Sequence, residues 1–385
     1  MKCDYIIRNG RVFDPHTERF ELRDVYIGDG KFVQDAQSSS EAQIIDATGK
    51  LVLPGLIDCH THLNYLGSNI GCNADLLCIP SGVTSAVDGG TAGYANFPQF
   101  YSTNIVRYVP CVMEYLHVSS YGVKDHCTHP EEHDPADFDF DQIVRTFEKY
   151  PDVLRGLKIR VFGKTMDAYG TAPLEKTVEM ADRLEKAGFK CLVNMHYTGA
   201  PQGHTLSELL DILRPGDLFS HVYQTMGETI FGGDGRIKPE VNHARARGVL
   251  FDTANGRPLW SFDHLERAFS EGFYPDTVSS DVIHLSMYVK PAFSLPHAMS
   301  VMYTAGMPLE KLLRAVTLTP AEMLGITDRA GTLDIGKCAD LAIFDLMDTG
   351  MVLSDKHGGS RRSKGLFVPL ATIRAGKLMF RQLFF

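Results

Sequence analysis

Apolar residues follow two different patterns along the 385-residue chain. From residue 1 to about residue 50, short apolar runs are separated by tight-turn signals, the clearest being Asn9-Gly10 and Asp29-Gly30. Asn-Gly and Asp-Gly pairs are favoured at hairpin turns because both of their residues tolerate positive φ. The first fifty residues are therefore predicted to form a β-meander with hairpin turns at these two pairs.

After residue 50, apolar strand-like runs alternate eight times with longer stretches of helical pattern. Continuous apolar runs are typical of parallel strands that are covered by helices. The eight predicted strands are Leu51–Ile57, Val83–Val87, Tyr108–Leu116, Leu154–Val161, Cys191–Met195, Leu218–Ser220, Val249–Asp252 and Thr277–Ser280. Among the helices, Pro173–Lys186 is the clearest, and capping boxes are predicted to begin at Thr205 and Thr319.

Eight strand–helix units predict an α/β fold of the closed (β/α)₈ TIM-barrel type. A doubly wound sheet is the alternative, but no Gly-x-Gly-x-x-Gly motif follows the first predicted strand. From about residue 331 the strand-and-turn pattern of the N-terminus returns. We expect residues 51–330 to form the barrel, and residues 1–50 and 331–385 to pair into one small β-sandwich domain.

Composition narrows the class of protein. The chain is 44% hydrophobic and 22% charged, which is typical of a globular protein with a large core. A formal net charge of −9 argues against general binding to nucleic acid or to anionic membranes. No apolar run approaches the ~20 residues of a membrane span, and the start lacks a signal-peptide pattern. With eight scattered cysteines, a cytoplasmic location with reduced thiols is expected.

Histidines and acids lie at the predicted strand ends. His60 and His62 are two residues apart, so a strand would direct both side chains into the mouth of the barrel. This spacing alone is a weak signal, since histidine pairs are more often structural. Three more residues of this kind end other strands, and a lysine lies among apolar neighbours in the fourth: His196, His221, Asp281 and Lys158.

Each of these four residues also has an ordinary interpretation, as a core histidine, a helix cap or an ion-pair partner. Their occurrence together at one end of a barrel instead favours a metal site, for which imidazole and carboxylate ligands suit zinc. Burial would lower the pKa of Lys158, and a neutral amine adds carbon dioxide to give a carbamate that bridges two cations. We therefore hypothesise that Lys158 is carboxylated at its side-chain nitrogen.

Other polar residues near strand ends are candidates for binding a substrate. Arg160 shares the face of Lys158, and it either binds a substrate carboxylate or neutralises acids of the metal site. The further candidates for substrate contact are His117, Tyr121, Tyr223, Asn255 and His284. The tract from Lys124 to His133 is rich in histidine and acid but lacks zinc spacing, and we predict that it forms a polar lid.

Several segments resemble the amidohydrolase superfamily. Residues 54–62 are similar to its first-strand motif, and residues 331–345 to its return into a small β domain. Within the superfamily, four segments resemble the dihydroorotase-like amidohydrolase/deacetylase subgroup, which includes acetyl-mandelate esterases: Gly156–Arg160, Leu213–Asp217 with His221, Gly248–Asp252 and Gly272–Asp281. The resemblance covers nearly the whole chain.

The resemblance implies a ligand set and a reaction. His60, His62 and Asp281 would hold a buried metal, His196 and His221 a more exposed one, and carboxylated Lys158 would bridge two divalent ions, with zinc favoured. A metal-bridging hydroxide would attack the amide bond (cyclic or N-acyl) or acyl-ester bond of a small molecule. Asp281 would take the proton and pass it to the leaving group.

Two alternatives of other function classes stay open. One is a mononuclear zinc aminohydrolase, a deaminase of the same fold, which metal content would distinguish. The other is a non-catalytic oligomeric relative, against which the full set of ligands argues. By analogy with such enzymes, assembly into a homo-oligomer is also open.

Overall fold

The computed structural model of the chain describes residues 3–34, 41–123 and 130–385. These form an α/β fold with a parallel sheet, a separate mixed sheet and a two-stranded ribbon. The strands are β1 (Tyr5–Asp14), β2 (Arg19–Gly28), β3 (Lys31–Val33), β4 (Gln43–Asp46), β5 (Leu51–Pro54), β6 (Leu56–Thr61), β7 (Val83–Asp88), β8 (Cys111–His117), β9 (Leu154–Val161), β10 (Leu192–Tyr197), β11 (Leu218–Ser220), β12 (Leu250–Asp252), β13 (Leu341–Met347), β14 (Val352–Ser354), β15 (Ser360–Arg362), β16 (Leu366–Arg374) and β17 (Lys377–Arg381).

Helices lie between the parallel strands and after the last of them. The α-helices are α1 (Ala74–Leu77), α2 (Phe97–Thr103), α3 (Phe140–Lys149), α4 (Gly163–Met166), α5 (Ala172–Lys186), α6 (Leu206–Ile212), α7 (Pro239–Arg247), α8 (Phe262–Ser270), α9 (Leu295–Ala305), α10 (Leu309–Arg314) and α11 (Leu318–Leu324). The capping box at Thr205 is confirmed, since its side chain and that of Glu208 bond each other's backbone N–H. The capping box predicted at Thr319 is wrong, because Thr319 lies inside α11.

The parallel sheet has seven strands in the order β12-β11-β10-β9-β8-β7-β6, so neighbours along the chain are neighbours in the sheet. The predicted strands two to seven are all present, with β9 and β11 at the predicted bounds. Their side chains are almost entirely buried, which explains the continuous apolar pattern. All seven carboxyl ends therefore lie at one end of the sheet.

The segment 277–282 lies between the two edge strands of this sheet. Thr277 forms a parallel bridge with Asp252 at the end of β12. On the other side, the Asp281 N–H donates to the His60 carbonyl at 2.7 Å, and the His62 N–H donates to the Val282 carbonyl at 3.2 Å. The predicted eighth strand is thus an extended segment that hydrogen-bonds with both edges.

The first predicted strand, Leu51–Ile57, is wrong as a single element. Gly55 separates β5, which belongs to the mixed sheet, from β6, which begins the parallel sheet. A Cβ atom at Gly55 would lie 2.2 Å from Thr84 Oγ1, so the crossing from sheet to sheet needs a residue without a side chain. The strands of the parallel sheet therefore begin at Leu56.

The mixed sheet joins the two ends of the chain. Its order is β17-β16-β13-β5-β1-β2-β3, with β4 added on β1. It is one continuous sheet rather than two separate layers, and it curls so that the Phe32 N–H near one edge donates to the Lys337 carbonyl at 3.0 Å. Its buried apolar residues form a cluster of their own.

Only one of the two predicted turns is a turn. Asp29 and Gly30, with φ of 52° and 74°, connect β2 to β3. Asn9 instead lies within β1, where the register to β2 shifts between Ile7 and Gly10, so this pair forms a β-bulge. In the described ranges of the chain, no helix is long and apolar enough to cross a membrane.

Candidate active site

Four imidazole rings and one carboxylate meet at the carboxyl end of the parallel sheet. The ring centroids of His60 lie 5.9 Å from His62 and 5.5 Å from His221, and the His196 and His221 centroids are 4.1 Å apart. Asp281 lies in the extended segment 277–282, which borders β6. The structure thus brings together residues that lie far apart in the sequence, because each of them lies at the carboxyl end of a strand of the parallel sheet or in this segment.

His60, His62 and Asp281 form the tightest group. One ligand atom from each of them lies within 4.8 Å of the others. Asp281 Oδ1 is 3.3 Å from His62 Nε2 and 3.8 Å from His60 Nε2. Burial alone would raise the pKa of Asp281, but the hydrogen bond from His62 and the neighbouring imidazoles hold it well below its usual range. The group therefore offers an ionised carboxylate beside two rings.

Neighbouring side chains orient these two rings. His62 Nδ1 lies 2.8 Å from Thr91 Oγ1, and this contact holds the ring with Nε2 towards Asp281. His60 Nδ1 lies 3.8 Å from Asp252 Oδ2, and it has no hydrogen-bond partner among the described residues. Asp252 in turn accepts hydrogen bonds from the hydroxyls of Ser279 and Thr277 at 2.6 and 2.7 Å. Such a fixed carboxylate behind a histidine is typical of metal sites.

His196 and His221 form a second pair. His221 Nε2 is 2.7 Å from His196 Nδ1, while His221 Nδ1 donates to the Ala254 carbonyl at 2.8 Å. Burial lowers the pKa of His221 to about 3 and the pKa of His196 well below its usual range. Both rings are therefore neutral at pH 7 and able to act as ligands.

Lys158 lies between these two groups. Its side chain is buried, and Nζ is 2.8 Å from Asn194 Oδ1, to which it donates, and 3.2 Å from His60 Nε2. Burial lowers the pKa of Lys158 to about 7. The amine is thus partly neutral near physiological pH, which is the form that reacts with carbon dioxide.

Three glycines leave space for the charged side chains. A Cβ atom at Gly89 would lie 2.7 Å from His60 Nε2, and one at Gly90 would lie 2.6 Å from Lys158 Cγ. At Gly256, where φ is +53°, it would lie 2.6 Å from Asp281 Oδ2. The backbone therefore approaches the polar cluster more closely than any other residue type permits.

The cluster opens into a cavity of about 200 Å³. Its wall combines the polar cluster with aliphatic side chains. The lining residues are His60, His62, Ile70, Gly89, Val123, Lys158, Arg160, His196, Asp281 and Ile283. A cavity of this size and composition suits a small molecule with a short apolar group.

Three of the residues predicted to contact substrate lie at or beside this cavity. Arg160 lines it directly. His117 is buried beside Lys158, its partner in the register of β8 and β9. His284 is exposed, and its N–H donates to the carbonyl of Ile70, a lining residue, at 2.8 Å.

The other three are placed differently. Asn255 is fully buried next to Gly256, and neither of its side-chain polar atoms has a partner within the described ranges. Tyr121 is half-buried, and its carbonyl accepts a hydrogen bond from Asn96. Tyr223 lies in the hydrophobic core, where its hydroxyl donates to the Phe273 carbonyl at 3.2 Å, so its expected position in the pocket wall is wrong.

One residue of the site, Glu131, was not singled out by the sequence. It belongs to the tract from Lys124 to His133, of which residues 124–129 lie outside the described residues, and with them most of the predicted lid. Glu131 Oε2 accepts a hydrogen bond from Arg160 at 2.7 Å, and Oε1 lies 3.0 Å from His117 Nε2. The sequence signal that could have identified Glu131 is the pair of adjacent acidic residues within this histidine-rich tract.

The donor atoms present fit divalent cations. Two imidazole nitrogens and a carboxylate oxygen lie within 4.8 Å of one another, and His60 Nδ1, which has no hydrogen-bond partner among the described residues, lies near a fixed carboxylate.

Comparisons with known proteins agree with this chemistry. A model of the amidohydrolase family matches residues 253–379. A deacetylase of Agrobacterium fabrum is 30% identical over 345 residues, which cover 89% of this chain and 83% of that protein. A crystal structure of a dihydroorotase superposes with a TM-score of 0.85 at 26% identity, over 98% of both chains. A crystal structure of an adenine deaminase shares the fold, with a TM-score of 0.87 at 24% identity over 98% of this chain and 100% of the other.

Proposed function

The chain belongs to the amidohydrolase superfamily, and on this premise we propose that it is a dinuclear metal-dependent hydrolase of a small amide or acyl ester. The carrying observation is the convergence of His60, His62 and Asp281 within 4.8 Å, with the Lys158 amine 3.2 Å from His60. The proposal includes a closed eight-stranded barrel, in which segment 277–282 takes the place of the eighth strand. Closure would fix the angle between the first and last ligands.

The proposed ligand set divides between two cations. His60, His62 and Asp281 would hold one, and His196 and His221 the other. Lys158 would bridge the two as a carbamate, formed when the neutral amine adds carbon dioxide and releases a proton. The amine lies 3.2 Å from His60 Nε2 and lines the same cavity as His196, so the carbamate would form beside one ligand of each cation.

When bound, the cations would supply an activated water nucleophile and polarise the substrate carbonyl. Asp281 would accept a proton from the nucleophile at its carboxylate and return it to the leaving nitrogen or oxygen. Asp281 lines the cavity, where its carboxylate would be within reach of the nucleophile and of the leaving group. Ile70, Val123 and Ile283 would hold the apolar part of the substrate and exclude water from it.

The relatives favour an amide substrate. The similar protein of Agrobacterium fabrum is named a deacetylase, which supports removal of an acyl group by this chain as well. A cavity of about 200 Å³ limits the substrate to a small molecule. We therefore infer cleavage of a C–N bond in an N-acyl compound or a small cyclic amide, with an acyl ester as the alternative bond.

Metal analysis followed by a substrate screen tests this proposal. We expect two metal ions per chain and turnover of at least one N-acyl amino acid, cyclic amide or acetyl ester. A single ion per chain with release of ammonia from an aminated ring would overturn it in favour of a deaminase. A metal-free, inactive protein would overturn it in favour of a non-catalytic relative.

Lys158→Ala tests the bridge separately. This variant should bind fewer metal ions per chain, and short carboxylic acids should restore part of its activity. Lys176→Ala is the control, since Lys176 lies on α5 in an ion pair with Glu179 away from the cavity. Unchanged metal stoichiometry in Lys158→Ala would contradict the carbamate.

A further inference from the structure

Arg160 is a positively charged side chain of the cavity wall that is not among the proposed metal ligands. It lies two residues after Lys158 on β9 and so faces the same side of the strand. Its side chain is 20% exposed, whereas that of Glu131 is 4% exposed, so the cation faces the cavity while its partner is buried behind it. In this ion pair, Arg160 is the residue at the cavity and Glu131 is the buried one.

The contact between Arg160 and Glu131 is made end-on. Arg160 Nη1 donates to Glu131 Oε2 at 2.7 Å, while the other carboxylate oxygen lies 3.0 Å from His117 Nε2. A bidentate pair would use two guanidinium nitrogens. Here, among the described residues, Glu131 is the one acceptor that Arg160 bonds, and this contact uses one of the five N–H donors of the guanidinium.

Two further contacts fix the plane of the guanidinium and the position of the carboxylate. Arg160 stacks over the Phe162 ring at 4.6 Å. His117 Nδ1 accepts the Ser119 N–H at 3.0 Å, so Nε2 is the ring nitrogen that lies towards Glu131. Although burial would raise the pKa of Glu131, the charge of Arg160 and the contact with His117 lower it to about 2, so the carboxylate is ionised.

We propose that Glu131 is a positioning residue for substrate binding: it holds Arg160 so that the guanidinium N–H groups that bond no described residue face the cavity and bind an anionic group of the substrate. Glu131 belongs to the segment that follows β8, and Arg160 belongs to β9. Their contact therefore connects this segment with the strand that contains Lys158. The inference rests on the proposed hydrolase function, because it assigns a binding residue to the part of the substrate that lies away from the cleaved bond.

Matched substrates and variants test the role. The metal-loaded enzyme is given an N-acyl amino acid and the corresponding amide, which differ only in the carboxylate. For the acid, Arg160→Met and Glu131→Ala should each raise KM by about 30-fold with kcat changed less than about 3-fold. For the neutral amide, both variants should resemble the wild type.

The conservative variant Glu131→Gln separates positioning from other roles. Gln keeps an oxygen that accepts the Arg160 hydrogen bond but removes the competing negative charge, so KM for the acid should be equal to or lower than that of the wild type. A proton-transfer role would instead lower kcat in Glu131→Gln for both substrates, and a purely structural role would impair both substrates equally in Glu131→Ala. Either of these outcomes would overturn the proposal.

Glu266→Ala is the matched control. Glu266 accepts two hydrogen bonds from Arg361, at 2.6 and 2.7 Å, and Arg361 stacks over Phe262 at 5.3 Å, so an Arg–Glu pair beside a phenylalanine also occurs away from the cavity lining. This variant should leave the ratio of acid to amide turnover unchanged. A change in that ratio as large as in Glu131→Ala would overturn the proposal, because it would show a general effect of breaking such pairs.

A binding measurement distinguishes failure of this inference from failure of the proposed function. If the wild type cleaves neither substrate, the N-acyl amino acid is excluded as its substrate and the wider screen decides the hydrolase proposal, but calorimetry of the deacylated amino acid and its amide still reports on Arg160. A preference for the acid that falls about 30-fold in Arg160→Met and Glu131→Ala supports the inference. If both variants still prefer the acid, the metal ions rather than Arg160 bind the carboxylate, and the inference is overturned.

Discussion

The mixed sheet and the carboxyl end of the parallel sheet both contain left-handed backbone, but in different surroundings. In the mixed sheet it occurs at exposed Asn9 and Asp29, in a bulge and a hairpin turn that need positive φ. At the site it occurs at His221 (φ 66°) and Asp281 (φ 46°), where the chain leaves a strand and its side chains enter the cluster. Left-handed backbone thus forms a bulge and a turn in the mixed sheet, whereas at the site it orients the side chains of candidate ligands.

The two regions also differ in what they bury. The core of the mixed sheet is an apolar cluster, which gains stability from burial alone. The parallel sheet buries Lys158 and His60 beside an acid, and each of these groups loses hydration. The comparison teaches that the first region is arranged for stability, whereas the second gives up stability to arrange charged groups, and substitutions should affect the two regions differently.

The largest difference should follow from removing one charge in each region. Asp281→Asn keeps the shape of the side chain but removes the proton acceptor and one candidate metal ligand, so kcat should fall at least about 10³-fold. Asp29→Asn is the matched control, with the same residue type and positive φ in an exposed turn, and it should leave kcat unchanged. Steady-state kinetics and metal content check both variants. Retention of activity and metal in Asp281→Asn would contradict its assigned role.

A glycine in each region isolates the steric part of the effect. Gly256→Ala adds a methyl group 2.6 Å from Asp281 Oδ2, and kcat should fall by about 10- to 100-fold in addition to a stability loss of about 1 kcal/mol. Gly49 also has positive φ (+74°), but no atom lies within 4 Å of its Cβ position, so Gly49→Ala should lose only stability. Kinetics and thermal unfolding separate the two effects. Equal activity losses would show that the carboxylate position is not what matters.

The sequence predicts best where one strand end determines a side chain's position. His60, His62, His196, His221 and Asp281 were predicted together because parallel strands place their carboxyl ends at one edge. Glu131, Thr91 and Asp252 were not assigned roles, because their contacts join segments distant in sequence, as between Glu131 and Arg160. Spacing along the chain carries no information about such pairs.

Turn and strand patterns in the sequence were ambiguous for the same reason, since contacts between distant segments decide which structure forms. Asn9-Gly10 and Asp29-Gly30 carry equivalent turn signals, but only the second is a turn. Around Asn9, β1 continues in the same sheet after the bulge, because pairing with β2 resumes at Gly10. The predicted strand Thr277–Ser280 is an extended segment with a single bridge to β12, and the hydroxyls of Ser279 and Ser280 bond Asp252 and Asp58. Tertiary contacts decide both cases.

Removing a hydrogen bond behind a ligand should have a smaller effect than removing the ligand. Ser279→Ala deletes the 2.6 Å bond to Asp252, the carboxylate behind His60, and metal affinity should fall by about 10-fold. Thr372→Val is the counterpart in the mixed sheet, since it deletes a buried 2.7 Å bond from its hydroxyl to the Ile79 carbonyl. Both should lose about 1 kcal/mol of stability. Metal titration distinguishes them, and equal affinities would contradict a role for Asp252 in orienting His60.

The smallest effect is expected from two buried carboxyl groups that differ in pairing. In the mixed sheet, Asp340 is bonded by Arg374 at 2.9 Å and by the Ala375 N–H at 2.8 Å. In β8, Glu114 accepts only the Ala92 N–H at 3.1 Å among the described residues, and burial raises its pKa well above 4.5. Asp340→Asn should therefore destabilise the fold by breaking an ion pair, whereas Glu114→Gln should stabilise it.

The advantage of Glu114→Gln should grow with pH. Above about pH 4.5 the folded chain keeps the Glu114 proton while the unfolded chain releases it, so the wild type loses stability as pH rises towards the folded pKa. Gln has no such proton, and the difference in Tm between variant and wild type should increase by roughly 2 °C from pH 5 to pH 8. Thermal unfolding at both pH values measures it, with the exposed Glu148→Gln as control. A constant or shrinking difference would mean that Glu114 is ionised in the folded chain.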